Sequence, residues 1–238
     1  VIKLVDLHKS FKTQKVLNGL NLDIPEGKIT VIIGASGVGK SVLLKHMIGL
    51  VKPDRGGVFI EGVDISKLAG PRLVEIRKKF GMLFQSGALF DSFNVFDNVA
   101  FPLIEQSRLS AGEIKKSVEE KLRLVGLSGI NEKMPSELSG GMKKRVGLAR
   151  AIILEPKVIL YDEPTTGLDP IMSDSVDKLI LDMQQKLDIT SVVISHDIKS
   201  TFNIADQMAM IHEGKIIESG DPESFRRSSN PMVKRFIQ

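Results

Sequence analysis

The hydrophobic pattern changes period along the chain, and those changes predict its elements. Residues 2–8 (Ile-Lys-Leu-Val-Asp-Leu-His) alternate with period two and predict a strand, with Phe11 in a polar turn after it. Residues 16–17 and 20–24 predict further strands, and Pro25-Glu26-Gly27-Lys28 a turn. Residues 53–57 (Pro-Asp-Arg-Gly-Gly) predict another turn, followed by a hairpin over 58–63. Runs at 29–33, 80–84, 158–161 and 190–195, apolar at most positions and without charge, predict buried core strands. The early strands outnumber what one parallel sheet needs, so an antiparallel β layer is expected beside the core. Helical spacing appears at 42–48, at 71–79 with Pro71 in the first turn, at 140–153 behind Ser139, and from Pro170 to about 186. Ile114, Val118, Leu122 and Val125 form one stripe of an amphipathic helix over 111–125. A hairpin is expected around Glu213-Gly214, and a short final helix from Pro222 to Phe225. No strand-like run occurs between 86 and 150. The chain therefore reads as one α/β domain: a core with its β layer over 1–85 and 151–238, and a helical insertion over 86–150.

Composition narrows this picture. The 238 residues are 42% hydrophobic and 26% charged, ordinary for a globular chain. The absence of cysteine excludes disulfides, thiolate metal sites and cysteine catalysis. No apolar run approaches the ~20 residues of a membrane span, and Lys3, Asp6, His8 and Lys9 interrupt any leader-like start. A cytosolic chain that can dock on a membrane protein is expected. The net charge of +4 is diffuse, so a solvated surface is favoured over a nucleic-acid partner.

The chemistry centres on Gly34-Ala35-Ser36-Gly37-Val38-Gly39-Lys40-Ser41, between the apolar run 29–33 and a helical pattern. This is the strand, glycine loop and helix context of a phosphate-binding P-loop. Its N–H groups turn inward, Lys40 can reach β- and γ-phosphates, and Ser41 can ligate Mg²⁺. A second magnesium carboxylate is expected at the end of a neighbouring strand; Asp162 fits, with Glu163 beside it to accept a proton from water. Gln85 and His196 also follow strands, and each alone reads as structural; the Gln85 amide could reach Mg²⁺ or water, and His196, on the same edge as Asp162, a γ-phosphate. Leu138-Ser139-Gly140-Gly141-Met142 is equally a capped helix start and an anion site. Lys143-Lys144-Arg145 reads as a solvated basic face.

Together these residues resemble the nucleotide-binding subunits of ATP-binding cassette (ABC) transporters, over essentially the whole chain. Walker A matches residues 34–41, the Q-loop Gln85, the signature 138–142, Walker B 158–162, the catalytic glutamate Glu163, the D-loop 167–169 and the switch histidine His196. The resemblance implies a RecA-like P-loop core with an antiparallel β subdomain and a helical insertion. It implies ATP hydrolysis with Mg²⁺ on Ser41, Gln85 and Asp162. Phe11 and Val16 are expected at adenine, and Ser36, Gly37, Val38, Gly39, Lys40 and Ser41 at the phosphates. Ser139, Gly140 and Gly141 are expected across a head-to-tail homodimer, and Asp169 between the two sites. Phe11 replaces the more usual Tyr, and Met142 the common Gln. More narrowly, segments 84–90, 94–100 and 134–142 resemble the Mla-type ATPases of MCE-linked lipid transport. That implies a multi-span permease, a small STAS-type accessory protein, a periplasmic MCE-domain protein, and a place on the cytoplasmic face of the inner membrane. Gln85 would act as a lever on segment 86–101, where Phe90, Phe93, Phe96 and Phe101 are either a docking surface or core. Amino-acid or metal importers and the cell-division or iron–sulfur assembly ATPases share the catalytic motifs and stay open. DNA-repair or translation ATPases and simple P-loop kinases fit less well, the latter leaving Ser139-Gly140-Gly141 and His196 unexplained.

Overall fold

The computed structural model describes residues 2–238; Val1, where the expected core begins, lies outside the described residues. The alternating start becomes β1 (Ile2–Phe11), paired antiparallel with β2 (Gln14–Ile24). Two expectations change here. Residues 16–17 and 20–24 belong to one strand, which passes its polar middle through register shifts, and Phe11 closes β1 opposite Gln14 instead of sitting in a later turn. β3 (Ile29–Ile33) leaves this layer; β4 (Arg55–Ile60) and β5 (Val63–Asp64) complete it in the order β2-β1-β4-β5. Arg55, Gly56 and Gly57 thus belong to a strand and not to the expected turn.

β6 (Phe80–Leu83), β7 (Val158–Asp162), β8 (Thr190–Ile194), β9 (Gln207–His212) and β10 (Lys215–Gly220) join β3 in a second sheet, ordered β10-β9-β3-β8-β7-β6. Its pairs are parallel except β9 with β10. All five residues of β3 and of β8 are buried. Period two then divides them between two cores. Val31, Ile159, Tyr161 and Val193 face one core, while Ile32, Leu160, Val192 and Ile194 face the other. The second core also takes Leu43, Leu44 and Met47 of α1 (Lys40–Met47) and Ile2 and Leu4 of β1, so α1 lies between the two sheets. β6 is the edge strand and alternates in burial, and Phe84 beyond it is exposed, so 80–84 is not the fully buried strand expected.

The helices are α2 (Gly70–Arg77), α3 (Val95–Gln106), α4 (Ala111–Leu124), α5 (Gly140–Ile152), α6 (Pro170–Leu187), α7 (Ile198–Ile204), α8 (Pro222–Arg226) and α9 (Pro231–Ile237). A capping box of Ser110 and Glu113 starts α4. α3 was not legible as a helix because it is apolar on several faces and contains Pro102. α7 is a short helix with too few turns to show a period. The last helix is α9, not 222–225; fully buried Phe225 and Val233 pin this tail to the larger core.

Glu61, in the turn between β4 and β5, pairs with both Lys79 and Lys157 (3.0 Å to the latter), tying the β layer to the base of the parallel sheet. Their hydrogen bonds hold its carboxyl down from 4.5 to about 2. A depressed carboxyl stabilises the fold above its unfolded value and loses that contribution as pH falls towards the folded one. Glu61→Gln is therefore expected to flatten the decline of Tm between pH 4.5 and 2. The effect should be small because the pair is exposed, and Tm measured across that range is the check.

Candidate functional site

Register brings the candidate residues to one edge. Ile32 pairs with Ile194, and Ile194 with Asp162, so β3, β7 and β8 end together. Their following residues share the carboxyl edge of the sheet, where open α/β sheets bind ligands.

The loop after β3 wraps the start of α1. Gly39 adopts φ 105°, and a β-carbon there would lie 2.7 Å from Val16 Cγ1, so only glycine permits this approach. This contact sets the loop against Val16. The buried Lys40 ammonium donates to Gly34 O (2.7 Å) and Ala35 O (3.0 Å). Burial lowers its pKa below the usual lysine range, and Glu163 and Asp162 pull it back up. Ala35, Ser36 and Gly37 are exposed, leaving the loop open to solvent.

Ser41 Oγ donates to Asp162 Oδ1 at 3.0 Å. Burial raises the Asp162 carboxyl; the Ser41 bond lowers it, Glu163 raises it again, and Lys45 and Lys40 lower it. A hydroxyl and a desolvated carboxylate are hard oxygen donors whose charge is relieved by a cation, which suits Mg²⁺. Two protein ligands also suit an ion that takes its other oxygens from phosphate and water. Glu163 takes φ 51°, unusual for a residue with a side chain, while its N–H donates to Ile194 O at 3.0 Å. Its Oε2 accepts from Thr166 Oγ1 at 3.1 Å and lies 3.5 Å from His196 Nδ1. A carboxylate so aimed, beside an imidazole and a phosphate loop, can take a proton from water.

Other candidates stand apart. Phe11 is 46% exposed, with Lys9 Nζ 5.5 Å from its ring centre. Gln85 is exposed and, among the described residues, hydrogen-bonds neither Ser41 nor Asp162. Ser139 caps α5 by accepting from Met142 N at 3.3 Å. Among the described residues, no hydrogen bond joins 139–141 to the loop 34–41. Asp169 caps α6, accepting from Met172 N at 3.0 Å.

Residues to which the sequence assigns no site role also pack around these groups. Thr166 holds the Glu163 carboxylate. Lys144 and Arg145 are not the solvated face expected: Lys144 is buried, and Arg145 donates to Val125 O (3.0 Å) and to Ser175 Oγ. The legible signal was their i+4 spacing from Gly140 and Gly141, which puts all four on one helix face.

The family profile described as ABC transporter matches residues 17–166. The chain belongs to the ABC transporter family. It binds nucleotide and is an ATPase. It is 45% identical over 223 residues to the intermembrane phospholipid transport system ATP-binding protein MlaF of Haemophilus influenzae, covering 94% of this chain and 84% of that one. It is 42% identical to MlaF of Escherichia coli K12, covering 100% and 89%. It is 44% identical to the probable ribonucleotide transport ATP-binding protein mkl of Mycobacterium leprae, covering 99% of this chain and 68% of that relative. Among solved structures, the dimeric ATP-binding cassette MJ0796 bound to ADP and Pi superposes with TM-score 0.85 at 31% identity, covering 93% and 98%. The cassette fold expected from the sequence, with its antiparallel layer, is the one observed. No helix among the described residues is long and apolar enough to cross a membrane.

Proposed function

We propose that two copies of this chain close head to tail around two Mg·ATP. Hydrolysis reopens them, and the cycle drives a multi-span permease that moves phospholipid between bacterial membranes. One feature supports the dimer: the chain offers two turns suited to anions, 34–41 and 139–141, on separate elements, and among the described residues no hydrogen bond joins them. A phosphate chain held by both needs a second copy, related by a twofold axis. The related cassette MJ0796 is dimeric.

In this reading Lys40 and the amides of Ser36, Gly37, Val38 and Gly39 hold phosphates, while Phe11 and Val16 flank the base. Ser41 and Asp162 hold Mg²⁺, which Gln85 joins when the site closes. Glu163 is the general base, His196 steadies the attacked phosphate, Ser139, Gly140 and Gly141 act on the partner's nucleotide, and Asp169 couples the sites.

A groove of about 570 Å³, lined by Phe84, Phe90, Phe101, Arg77 and Arg150 among others, is the surface for the permease. Phe90, Phe93 and Phe101 form an aromatic cluster with ring centres 5.2–6.0 Å apart, while Phe96 packs on the core. Buried Asn98 and half-buried Arg150 brace the segment: Asn98 Nδ2 donates to Phe93 O (3.0 Å), and Arg150 Nη2 to Gly87 O (2.9 Å) and Ala88 O (2.8 Å). Phe90 is 44% exposed. Phe90→Glu is expected to abolish co-purification of the permease while Tm stays within a few degrees; recovery of an intact complex would sink the docking assignment.

Phospholipid as cargo rests on the MlaF relatives and the local segments 84–90, 94–100 and 134–142; the mkl name points to ribonucleotide instead. Mass spectrometry of the native complex decides it. Phospholipid with a permease, a small STAS-type protein and an MCE-domain protein is the expected set. Recovery with an amino-acid or metal importer's permease, or with none, would overturn the lipid reading.

A further inference from the structure

Lysine is seldom buried without a charged partner, yet Lys144 is 5% exposed and, among the described residues, forms no ion pair with a carboxylate. Its ammonium donates to two main-chain carbonyls, Pro164 O at 2.6 Å and Thr166 O at 2.7 Å. These carbonyls lie on the loop that starts at Glu163. Thr166 is held twice over: its carbonyl by Lys144, while its own hydroxyl holds Glu163 Oε2 at 3.1 Å. A path of two hydrogen bonds therefore runs from α5 to the Glu163 carboxylate. Burial pulls the Lys144 pKa down and Glu163 pulls it up, so the two charges sense each other.

The contact does not stand alone on α5. A β-carbon at Gly141 would lie 2.1 Å from Met172 Cε, so the methionine fills the space glycine leaves. Leu168 sits against Gly140, with 3.9 Å to a β-carbon there. Arg145 reaches Ser175. Positions 140, 141, 144 and 145 thus present one helix face to the segment 164–175. The start of α5 carries the turn proposed to touch the partner's nucleotide, and the segment carries the groups proposed to act on the chain's own.

We propose that Lys144 is a positioning residue that fixes the Glu163–Thr166 loop to the signature helix, so that Glu163 is aimed only while α5 is seated. The inference rests on the proposed roles of Glu163 and of residues 139–141. Lysine serves here because three N–H donors on a flexible stem can satisfy diverging carbonyls. A neutral apolar replacement would release the loop and leave those carbonyls unpaired.

The test is steady-state ATPase of the full chain, with ATP affinity and Tm measured on the same samples. For Lys144→Met, kcat is expected to fall about tenfold to a hundredfold while ATP Kd stays within about twofold, as for a misaimed catalytic group. Lys144→Arg, which keeps charge and donors, is expected within about threefold of the unmodified chain, and it serves as the readout should Lys144→Met fail to fold. Unchanged kcat in Lys144→Met would overturn the proposal. So would a loss shared equally by kcat, Kd and Tm, or an arginine variant as poor as the methionine one. Glu163→Gln, run in parallel, separates the two levels. Normal turnover there defeats the underlying reading, whereas an inactive Glu163→Gln beside a fully active Lys144→Met defeats this inference alone.

Discussion

Glu163→Gln is expected to bind ATP and form the ATP-bridged dimer while turnover falls by about 10²–10⁴-fold, the range for loss of a general base. The substitution is nearly isosteric. Glutamine keeps a carbonyl oxygen for the Thr166 hydroxyl, which now bonds Oε2 at 3.1 Å, and leaves the backbone tie to Ile194 intact. What it loses is basicity. The P-loop contacts of Lys40 and the Ser41–Asp162 pair do not involve the changed atom, so nucleotide affinity should persist. Size-exclusion chromatography with ATP and Mg²⁺, beside a phosphate-release assay, checks both halves. Ordinary turnover refutes the assignment of Glu163. A strictly monomeric ATP-loaded protein, even with its permease, refutes the shared-pocket account.

Lys40→Ala is expected to weaken ATP binding about tenfold to a hundredfold, corresponding to the ~1.5–3 kcal/mol of a hydrogen bond to a charged group. The ammonium donates to Gly34 O and Ala35 O at 2.7 and 3.0 Å. Those contacts preorganise the loop and place the charge where phosphate oxygens would compete for it. Burial has already removed much of the lysine's hydration, so little solvent is left to strip on binding. Titration with a fluorescent ATP analogue measures the loss. Unchanged affinity would remove Lys40 from the phosphate site.

Much of this protein could be read from residue order. The buried runs at 29–33, 158–161 and 190–195 became β3, β7 and β8, because a strand covered on both faces needs no alternation to be recognised. The glycine loop with Lys40 and Ser41 was legible because its chemistry is local: adjacent N–H groups and a following helix make the site within eight residues. Phe80 to Phe84 reads as buried in the chain yet ends at the rim, because an edge strand is apolar yet half solvated and only the sheet order reveals the edge. Helix α3 was missed because its period is blurred by burial on several sides.

Sequence by itself determined the nucleotide chemistry and the family, since both reside in short ordered motifs whose spacing is set by single strand–loop–helix units. Which charges are buried and paired follows only from how the elements pack. Lys143, Lys144 and Arg145 form one basic run whose helical spacing separates the faces but not which face is covered; packing turns Lys144 beneath the Glu163 loop. Likewise only strand register brought Ser41, Asp162, Glu163 and His196 to one edge, across gaps of up to 121 residues between hydrogen-bonded partners. Burial and pairing are properties of what the fold stacks against a residue, and no local pattern carries that information.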